Sequence, residues 1–253
     1  MRTYQTSEVA HETGIHPNTV RFYEELEFIP KPERKTNGYR VFTDFHIEQI
    51  KFVRIALQVA VLQNGLRKQA IAIIKISARG DFDKAIRLTE HYLKQIQEEE
   101  RNAEEAIVIT EKLLSGDSQL TGNTFLTRKE ASDYLQISID ALRNWEMNGL
   151  LTVKRSQNGY RIYTEEDILR LKIIRSLRCS NYSLSAILRM LRSLSQNPKT
   201  DIREAINTPE ENAIIISACD KLLTSLHFAK DNAIVMLSHL KEMKKQFHNN
   251  PTV

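Results

Sequence analysis

Residues that form disulfide bonds, bind metals or span membranes are scarce in this chain of 253 residues. It has two cysteines, Cys179 and Cys219, and neither has a partner at a spacing typical of a zinc or redox site. We therefore expect no disulfide framework, no thiolate metal site and no cofactor. No segment approaches the roughly 20 apolar residues of a membrane span, and the first residues lack the apolar core of a signal peptide. A cytoplasmic protein is expected.

The patterns of an enzyme are also lacking. The sequence contains no glycine-rich phosphate loop, no metal triad and no nucleophile with a base beside it, and its seven histidines form no cluster. A content of 41% hydrophobic and 27% charged residues is usual for globular proteins. The net charge of +4 is compatible with nucleic-acid binding but does not argue for it. We expect a protein that is not an enzyme, and its function has to be read from motifs.

The two halves of the chain contain related segments. Residues 14–24, GIHPNTVRFYE, align with residues 136–146, QISIDALRNWE, at an offset of 122. Residues 37–43, NGYRVFT, align with residues 158–164, NGYRIYT, at an offset of 121. Two copies at so long a period indicate a duplicated domain, since a solenoid needs several short units to bury its core.

Each copy is predicted to form a winged helix-turn-helix. A short helix opens after a capping-box pattern, weak at residues 5–8 and clear at 127–130, and a second helix begins at His16 or Ser138. An Asn-Gly dipeptide between basic and β-forming residues then predicts a β-hairpin, the wing, because this dipeptide tolerates positive φ. A threonine after the wing caps a third helix in both copies.

The second helix of each copy supplies the candidate base-reading residues. A recognition helix in the major groove presents the side chains of its N-terminal half to the base edges. The candidates are His16, Asn18, Thr19 and Arg21 in the first copy and Ser138, Asp140, Arg143 and Asn144 in the second. For the aromatic residues Tyr23 and Trp145 on the same helices, core packing and phosphate contact are equally open interpretations.

The wing of each copy supplies candidate contacts to the DNA backbone, because cations and phenolic hydroxyls bind phosphate oxygens. These candidates are Lys35, Asn37, Tyr39 and Arg40 in the first copy and Arg155, Asn158, Tyr160 and Arg161 in the second. The alternative is a solvated hairpin. It is more open for Lys35 and Arg155 than for Arg40 and Arg161.

These motifs together resemble the MerR family of bacterial transcription regulators. That family combines a helix-turn-helix, the pattern Arg-aromatic-aromatic-Glu and a wing with Asn-Gly-Tyr-Arg. Residues 20–24 read VRFYE and residues 142–146 read LRNWE, and each is followed by Asn-Gly-Tyr-Arg, at residues 37–40 and 158–161. Two such domains in one chain depart from the usual single-domain member.

The resemblance implies a mainly α fold with two winged helix-turn-helix domains, each with a small β-hairpin wing and each followed by a long coiled-coil helix. It also implies a sequence-specific regulator that binds double-stranded DNA and distorts promoter DNA, with RNA polymerase as a further candidate partner. Metal sensors of the family place cysteines near the start of the long helix and beyond its end. The first long helix of this sequence has none in either place, and Cys219 is interpreted as a small buried apolar group, so a thiolate metal switch is not expected.

Two long helices with a coiled-coil period are predicted, over 82–114 and 215–247. The first apolar seam comprises positions 82, 86, 89, 93, 96, 100, 103, 107, 110 and 114; the second comprises positions 215, 219, 222, 226, 229, 233, 236, 240, 243 and 247. Cys219 lies in the second seam, which favours a small buried apolar group over a reactive thiol. The predicted organisation is a first domain at 1–78, a long helix at 79–115, a linker at 116–124, a second domain at 125–198, and a C-terminal helix and tail at 199–253.

The two long helices suggest how the domains are joined. In the MerR family the equivalent helix pairs antiparallel with its copy from a second subunit, so pairing of 82–114 with 215–247 would make one chain a monomeric pseudo-dimer. A homodimer with four recognition helices is the alternative. Because the two recognition helices differ, we expect an imperfectly palindromic operator. The alternative function is an architectural or recombination accessory factor that bends DNA without contacting polymerase.

Overall fold

The computed structural model describes residues 2–58, 66–115, 125–156, 158–209 and 218–247. The predicted linker 116–124 and position 215 of the second seam lie outside the described residues. The chain divides into two compact units, 1–97 with 226–253 and 98–225. Both boundaries fall inside long helices, so each unit contains part of both.

None of the described helices combines the length and apolar character that crossing a membrane would require.

The first unit contains the helix-turn-helix, its wing, two further helices and the beginning of a long helix. Its elements are β1 (Thr3–Tyr4), α1 (Thr6–Thr13), α2 (Pro17–Glu25), β2 (Glu33–Arg34), β3 (Arg40–Thr43), α3 (Asp44–Leu57), α4 (Leu66–Ala78), the first half of α5 (Phe82–Leu114) and residues 226–247 of the last long helix. The helix boundaries follow from capping. The backbone N–H of Gln5 donates to Glu8 Oε2 at 2.6 Å at the start of α1, and His16 Nδ1 accepts from the backbone N–H of Asn18 at 3.2 Å at the start of α2.

The second unit repeats this order and adds two short helices. Its elements are the second half of α5, β4 (Leu126–Thr127), α6 (Arg128–Leu135), α7 (Ile139–Met147), β5 (Lys154–Arg155), β6 (Arg161–Tyr163), α8 (Glu165–Cys179), α9 (Leu184–Gln196), α10 (Ile202–Asn207), a 3-10 helix (Ala218–Lys221) and the start of α11 (Leu222–Phe247). The α10 helix corrects the assignment of 199–253 to a coiled-coil helix and tail. Asp201 Oδ1 caps it by accepting from the backbone N–H of Glu204 at 2.9 Å, and Ile202 and Ile206 are buried.

The predicted β-hairpin of each wing is present, and it forms part of a three-stranded sheet. In the first unit the order is β1-β3-β2, with Thr3 opposite Thr43, and in the second it is β4-β6-β5, with Leu126 opposite Tyr163. All of these pairings are antiparallel. The added strand lies just before the first helix and therefore ties that helix to the base of the wing.

The same core positions are buried in both domains. In each domain, residues from the first, second and third helices and from the last strand of the wing pack together behind the recognition helix. They are Val9, Val20, Phe42 and Ile50 in the first domain, and Ala131, Leu142, Tyr163 and Leu171 at the equivalent positions of the second.

The long helices bury seams that agree with the prediction for α11 and in part for α5. The nine seam positions from Cys219 to Phe247 are all buried; Cys219 lies in the 3-10 helix before α11, and the other eight lie in α11. In α5 the predicted positions 82, 89, 96, 103 and 110 are buried, as is 107. The intervening positions are shifted, because Ala85, Tyr92 and Ala106 are fully buried whereas positions 86, 93 and 100 are half-buried and 114 is exposed. The α5 seam therefore runs mainly with 3-4 spacing instead of the predicted 4-3.

Within the first unit, the start of α5 and the end of α11 meet beside α3. The Phe45 ring lies 5.8 Å from the Phe82 ring and 5.2 Å from the Phe247 ring, centroid to centroid. Lys244 Nζ lies 2.5 Å from Asp83 Oδ1. The first domain is therefore covered by residues from both long helices.

Within the second unit, the second half of α5 contacts the second domain through polar groups. Ser180 Oγ donates to the carbonyl of Asn102 at 2.9 Å, and Asn181 Nδ2 donates to Glu99 Oε2 at 3.0 Å. Arg203 forms two hydrogen bonds with the carboxylate of Glu104. These contacts fix the end of the first long helix against the second domain.

Candidate nucleic-acid interface

The recognition helix of the first domain, α2, is anchored by buried Val20 and exposes a polar surface on its other side. His16, Asn18 and Arg21 are exposed, and Thr19 is half-buried. Arg21 Nη1 lies 3.5 Å from Asn18 Oδ1, at the limit of a hydrogen bond. The guanidinium of Arg21 thus has a neutral amide as its neighbour.

The recognition helix of the second domain, α7, differs in the charge beside its arginine. Arg143 Nη1 lies 3.4 Å from Asp140 Oδ1, and the Asp140 side chain is 88% exposed. Asn144 is also exposed. Ser138 Oγ accepts from the backbone N–H of Ala141 at 3.0 Å and therefore caps the helix; base contact by Ser138 stays a prediction.

The aromatic residues of the recognition helices belong to the domain packing. Trp145 is buried, and Tyr23 is half-buried against the core, with its ring centroid 5.9 Å from that of Phe28. Burial raises the pKa of the Tyr23 hydroxyl. Of the two interpretations left open by the sequence, these placements favour packing. Sequence reasoning did not single out Phe22, which is half exposed on α2.

The tips of both wings are built alike and project their tyrosines. Tyr39 is 66% exposed and Tyr160 is 71% exposed. Arg34 Nη1 donates to the Gly38 carbonyl at 3.4 Å, and Arg155 makes the same bond to the equivalent glycine at 3.4 Å. Arg34, which sequence analysis did not select, is therefore the counterpart of Arg155. The offset of 121 residues was the available signal.

Behind the wing tips, Asn37 and Asn158 support the turns. Asn37 Oδ1 accepts from the backbone N–H of Tyr39 at 3.2 Å, and Asn158 Oδ1 accepts from that of Tyr160 at 3.4 Å. Both asparagines therefore stabilise the turn, a role that does not require contact with DNA. Lys35 is exposed, and its backbone N–H bonds the Tyr39 carbonyl.

In the first domain, an ion pair joins the wing arginine to the recognition helix. Arg40 Nε lies 2.6 Å from Glu24 Oε2, and Arg34 Nη2 lies 3.9 Å from Glu24 Oε1. The Glu24 side chain is only 12% exposed. Arg40 is therefore neither part of a solvated hairpin nor an isolated cation.

The second domain has the same ion pair, and two further side chains donate to its carboxylate. Arg161 Nε lies 2.7 Å from Glu146 Oε2, and Arg128 Nη2 lies 3.0 Å from the same oxygen. The Tyr163 hydroxyl donates to Glu146 Oε1. Burial, together with this hydrogen bond, raises the pKa of Tyr163 to about 12.

An open cleft in the first unit brings several predicted site residues together. Two guanidiniums and an exposed phenol share it, and such groups bind anionic oxygens. It is lined by Gln5, Thr6, Ser7, Pro17, Arg21, Asn37, Gly38, Tyr39 and Arg40. The first residues of α1 were missed by sequence reasoning, and His16, Thr19 and Lys35 do not line the cleft.

The corresponding cleft of the second unit is lined by Arg128, Arg143, Glu146, Met147 and Arg161. It again places a recognition-helix arginine beside a wing arginine. In the part of the chain that the structure describes, no group of three or more His, Cys, Asp or Glu side chains is placed to hold a metal ion. Cys179 is exposed and Cys219 is buried.

Two winged helix-turn-helix domains, each with a cationic cleft, place this chain in the class of winged helix-turn-helix proteins. Residues 126–194 match the family model described as MerR HTH family regulatory protein, and residues 5–42 match the one described as MerR family regulatory protein. The chain is 32% identical over 123 residues to a probable heavy metal-dependent transcriptional regulator of Haemophilus influenzae, covering 48% of this chain and 84% of that protein. The chain belongs to the MerR family of transcription regulators.

Other relatives match over shorter stretches. The HTH-type transcriptional regulator CueR of Yersinia pestis is 38% identical over 77 residues, which is 30% of this chain and 55% of CueR. The mercuric resistance operon regulatory protein of Bacillus cereus is 29% identical over 65 residues, which is 26% of this chain and 49% of that protein. The chain thus spans about half the length of these two relatives. No solved structure matches it.

Proposed function

We propose that this protein binds double-stranded DNA in a sequence-specific manner and regulates transcription by placing two recognition helices and two wings on one operator. The observation that carries the proposal is made in both domains: one cleft is lined by an arginine of the recognition helix and an arginine of the wing. These are Arg21 and Arg40 in the first domain and Arg143 and Arg161 in the second. A guanidinium on the exposed face of such a helix suits guanine in the major groove, and cations on the wing suit phosphates.

The two reading surfaces are unequal, which supports an imperfectly palindromic operator. Arg21 has the neutral amide of Asn18 beside it, whereas Arg143 has the carboxylate of Asp140. The carboxylate offsets part of the arginine charge and repels phosphates, but it also accepts a hydrogen bond from cytosine N4. We therefore expect the two half-sites to differ in sequence, with weaker binding by the second domain.

The same proposal includes pairing of α5 with α11 within one molecule. In the first unit the start of α5 meets the end of α11 around Phe45, and this is the relative direction that antiparallel pairing requires. The continuous buried seam of α11 supports a helical partner. A single chain would then do the work of a dimer.

Distortion of promoter DNA is proposed from family membership. The name of the Haemophilus influenzae relative refers to heavy metals, but we do not extend metal dependence to this chain. Its two cysteines differ in environment, since Cys179 is exposed whereas Cys219 is buried in the 3-10 helix that precedes α11. A sensor thiolate has to be reachable by its metal.

The direct test selects bound duplexes from a random library with the purified full chain at moderate salt. We expect one enriched operator with two half-sites of different sequence. Recovery of two identical half-sites with equal affinity would contradict the unequal surfaces, and no enrichment over random duplex would contradict sequence-specific binding. Reporter transcription from that operator, with and without the protein, then separates regulation from a purely architectural role.

The wing arginines offer a second test on the selected operator. Arg40→Ala and Arg161→Ala should each weaken binding and lower the slope of log affinity against log salt by about 1, as expected when one phosphate contact is lost. Arg101→Ala removes the same charge from the exposed surface of α5 and serves as the control. Unchanged slopes in both wing variants would show that these arginines do not contact phosphates.

A further inference from the structure

Glu24 and Glu146 occupy a position where a DNA-binding protein gains nothing from negative charge. Each lies on a recognition helix, and each is close to arginines that line a cationic cleft. A carboxylate there opposes the phosphates of DNA. Both are nevertheless largely buried, at 12% and 9% side-chain exposure, and both bond a wing arginine.

We propose that Glu24 and Glu146 are positioning residues that fix the wing arginines for DNA contact, an inference that rests on the proposed function. Glu24 engages Arg40 through Nε at 2.6 Å. A guanidinium has five N–H donors in one plane, so a bond at Nε leaves the four N–H groups of the two Nη atoms for other acceptors. Arg40 lines the cleft, so its free donors are held beside Arg21 and Tyr39.

The second domain repeats this arrangement with independent side chains. Arg161 bonds Glu146 through the same nitrogen at 2.7 Å. Arg128 and Tyr163, whose counterparts in the first domain are Thr6 and Phe42, add donors to Glu146. The Nε contact is thus kept although its surroundings differ, which indicates that the orientation of the wing arginine is the shared feature.

Substitution of Glu24 separates positioning from simple charge, because the two predict opposite signs. Loss of a carboxylate near DNA should by itself strengthen binding. If Glu24 positions Arg40 for a phosphate contact that fixes the register of the protein on its operator, Glu24→Gln should instead weaken binding to the selected operator by roughly fivefold. Affinity for random duplex, where no single register is fixed, should be unchanged or higher. Glu25→Gln is the matched control, since Glu25 is exposed on the same helix, and it should leave operator affinity unchanged or slightly higher.

The experiment measures equilibrium binding of the full-length chain to operator and to random duplex, with thermal unfolding of every variant as a check on folding. Operator binding by Glu24→Gln as tight as wild type would overturn the positioning role. Arg40→Lys gives a second measurement, because lysine keeps the charge but lacks Nε and the planar fork. Arg40→Lys should lower the ratio of operator to random affinity, and adding Glu24→Gln to it should cost little more.

Additive losses in that double variant would also overturn the proposal, since the two residues would then act separately. This outcome is distinct from failure of the proposed function. If wild type prefers no duplex over random sequence, sequence-specific binding itself is wrong. If wild type has a clear preference that Glu24→Gln retains in full, only the positioning role is wrong.

Discussion

At the end of α1 and of α6, equivalent residues adopt the same left-handed backbone with different side chains. Gly14 has φ +62, and Gln136 has φ +51. A residue with a Cβ is disfavoured in this conformation, whereas glycine adopts it freely. The second copy of the domain therefore carries a local cost that the first copy avoids.

Gln136→Gly should accordingly stabilise the second domain by about 1 kcal/mol, less the larger entropy of glycine in the unfolded chain. The reciprocal change, Gly14→Gln, should destabilise the first domain by a similar amount. Urea unfolding followed by circular dichroism measures both. A destabilised Gln136→Gly variant would show that the glutamine side chain makes a contribution larger than the backbone cost.

A second residue-scale prediction concerns His46, which is buried at the start of α3. Its Nδ1 accepts from the backbone N–H of Thr43 at 3.1 Å, and burial lowers its pKa from 6.5 to about 4. Below pH 6.5 the unfolded chain binds a proton that the folded chain excludes, so stability falls as the pH drops towards 4.

Between pH 7 and pH 5 this residue should account for a loss of about 2 kcal/mol. His46→Gln keeps an acceptor for Thr43 but does not titrate, so it should lose less stability over the same interval. Chemical unfolding at both pH values, with wild type and variant in parallel, checks the difference. Equal losses would assign the acid sensitivity to other groups.

At the scale of elements, the sequence predicted those structures whose signals are local. The Asn-Gly pairs located both wings, and the unbroken apolar series of α11 located its seam. The two-residue strands β1 and β4 and the six-residue α10 were missed, because elements so short carry no periodicity. In α5 the aliphatic residues Ile86 and Leu93 drew the prediction to positions one residue beyond Ala85 and Tyr92, which are the ones that the structure buries.

In the candidate site, too, the residues with a local sequence signal were predicted and the others were not. Arg40 and Arg161 were recognised from the Asn-Gly-Tyr-Arg pattern, and the arginines of the recognition helices from their position. Their partners Glu24 and Glu146 were not assigned a role, because the bonds depend on how the wing packs against the helix. Spacing along the chain carries no information about that packing.

The seam of α5 can be tested directly by two neighbouring truncations. Tyr92 is fully buried and Leu93 is half-buried, so Tyr92→Ala should cost about 3–5 kcal/mol of unfolding free energy and Leu93→Ala distinctly less. Guanidinium unfolding of the full chain gives both values. A larger loss for Leu93→Ala would restore the 4-3 seam inferred from the sequence.

At the scale of the whole molecule, the proposed pairing of α5 with α11 has a consequence for the oligomeric state. If the apolar seams of these helices pack against each other within one chain, no second copy is needed to cover them. Analytical ultracentrifugation with fluorescence detection should then give the mass of a monomer from micromolar down to nanomolar concentration. A dimer that persists at nanomolar concentration would favour the homodimer with four recognition helices.

The difference between Asn18 and Asp140 bears on the orientation of the bound protein as well as on its affinity. A regulator made of two identical subunits reads its site the same way from either end, so the site alone cannot tell it which way the gene lies. On the proposed operator, two unlike surfaces in one polypeptide would remove that equivalence, since only one orientation on the duplex would place each surface on its own half-site. Inverting the operator in front of a promoter would then turn the bound protein around and exchange the face that it presents to downstream DNA.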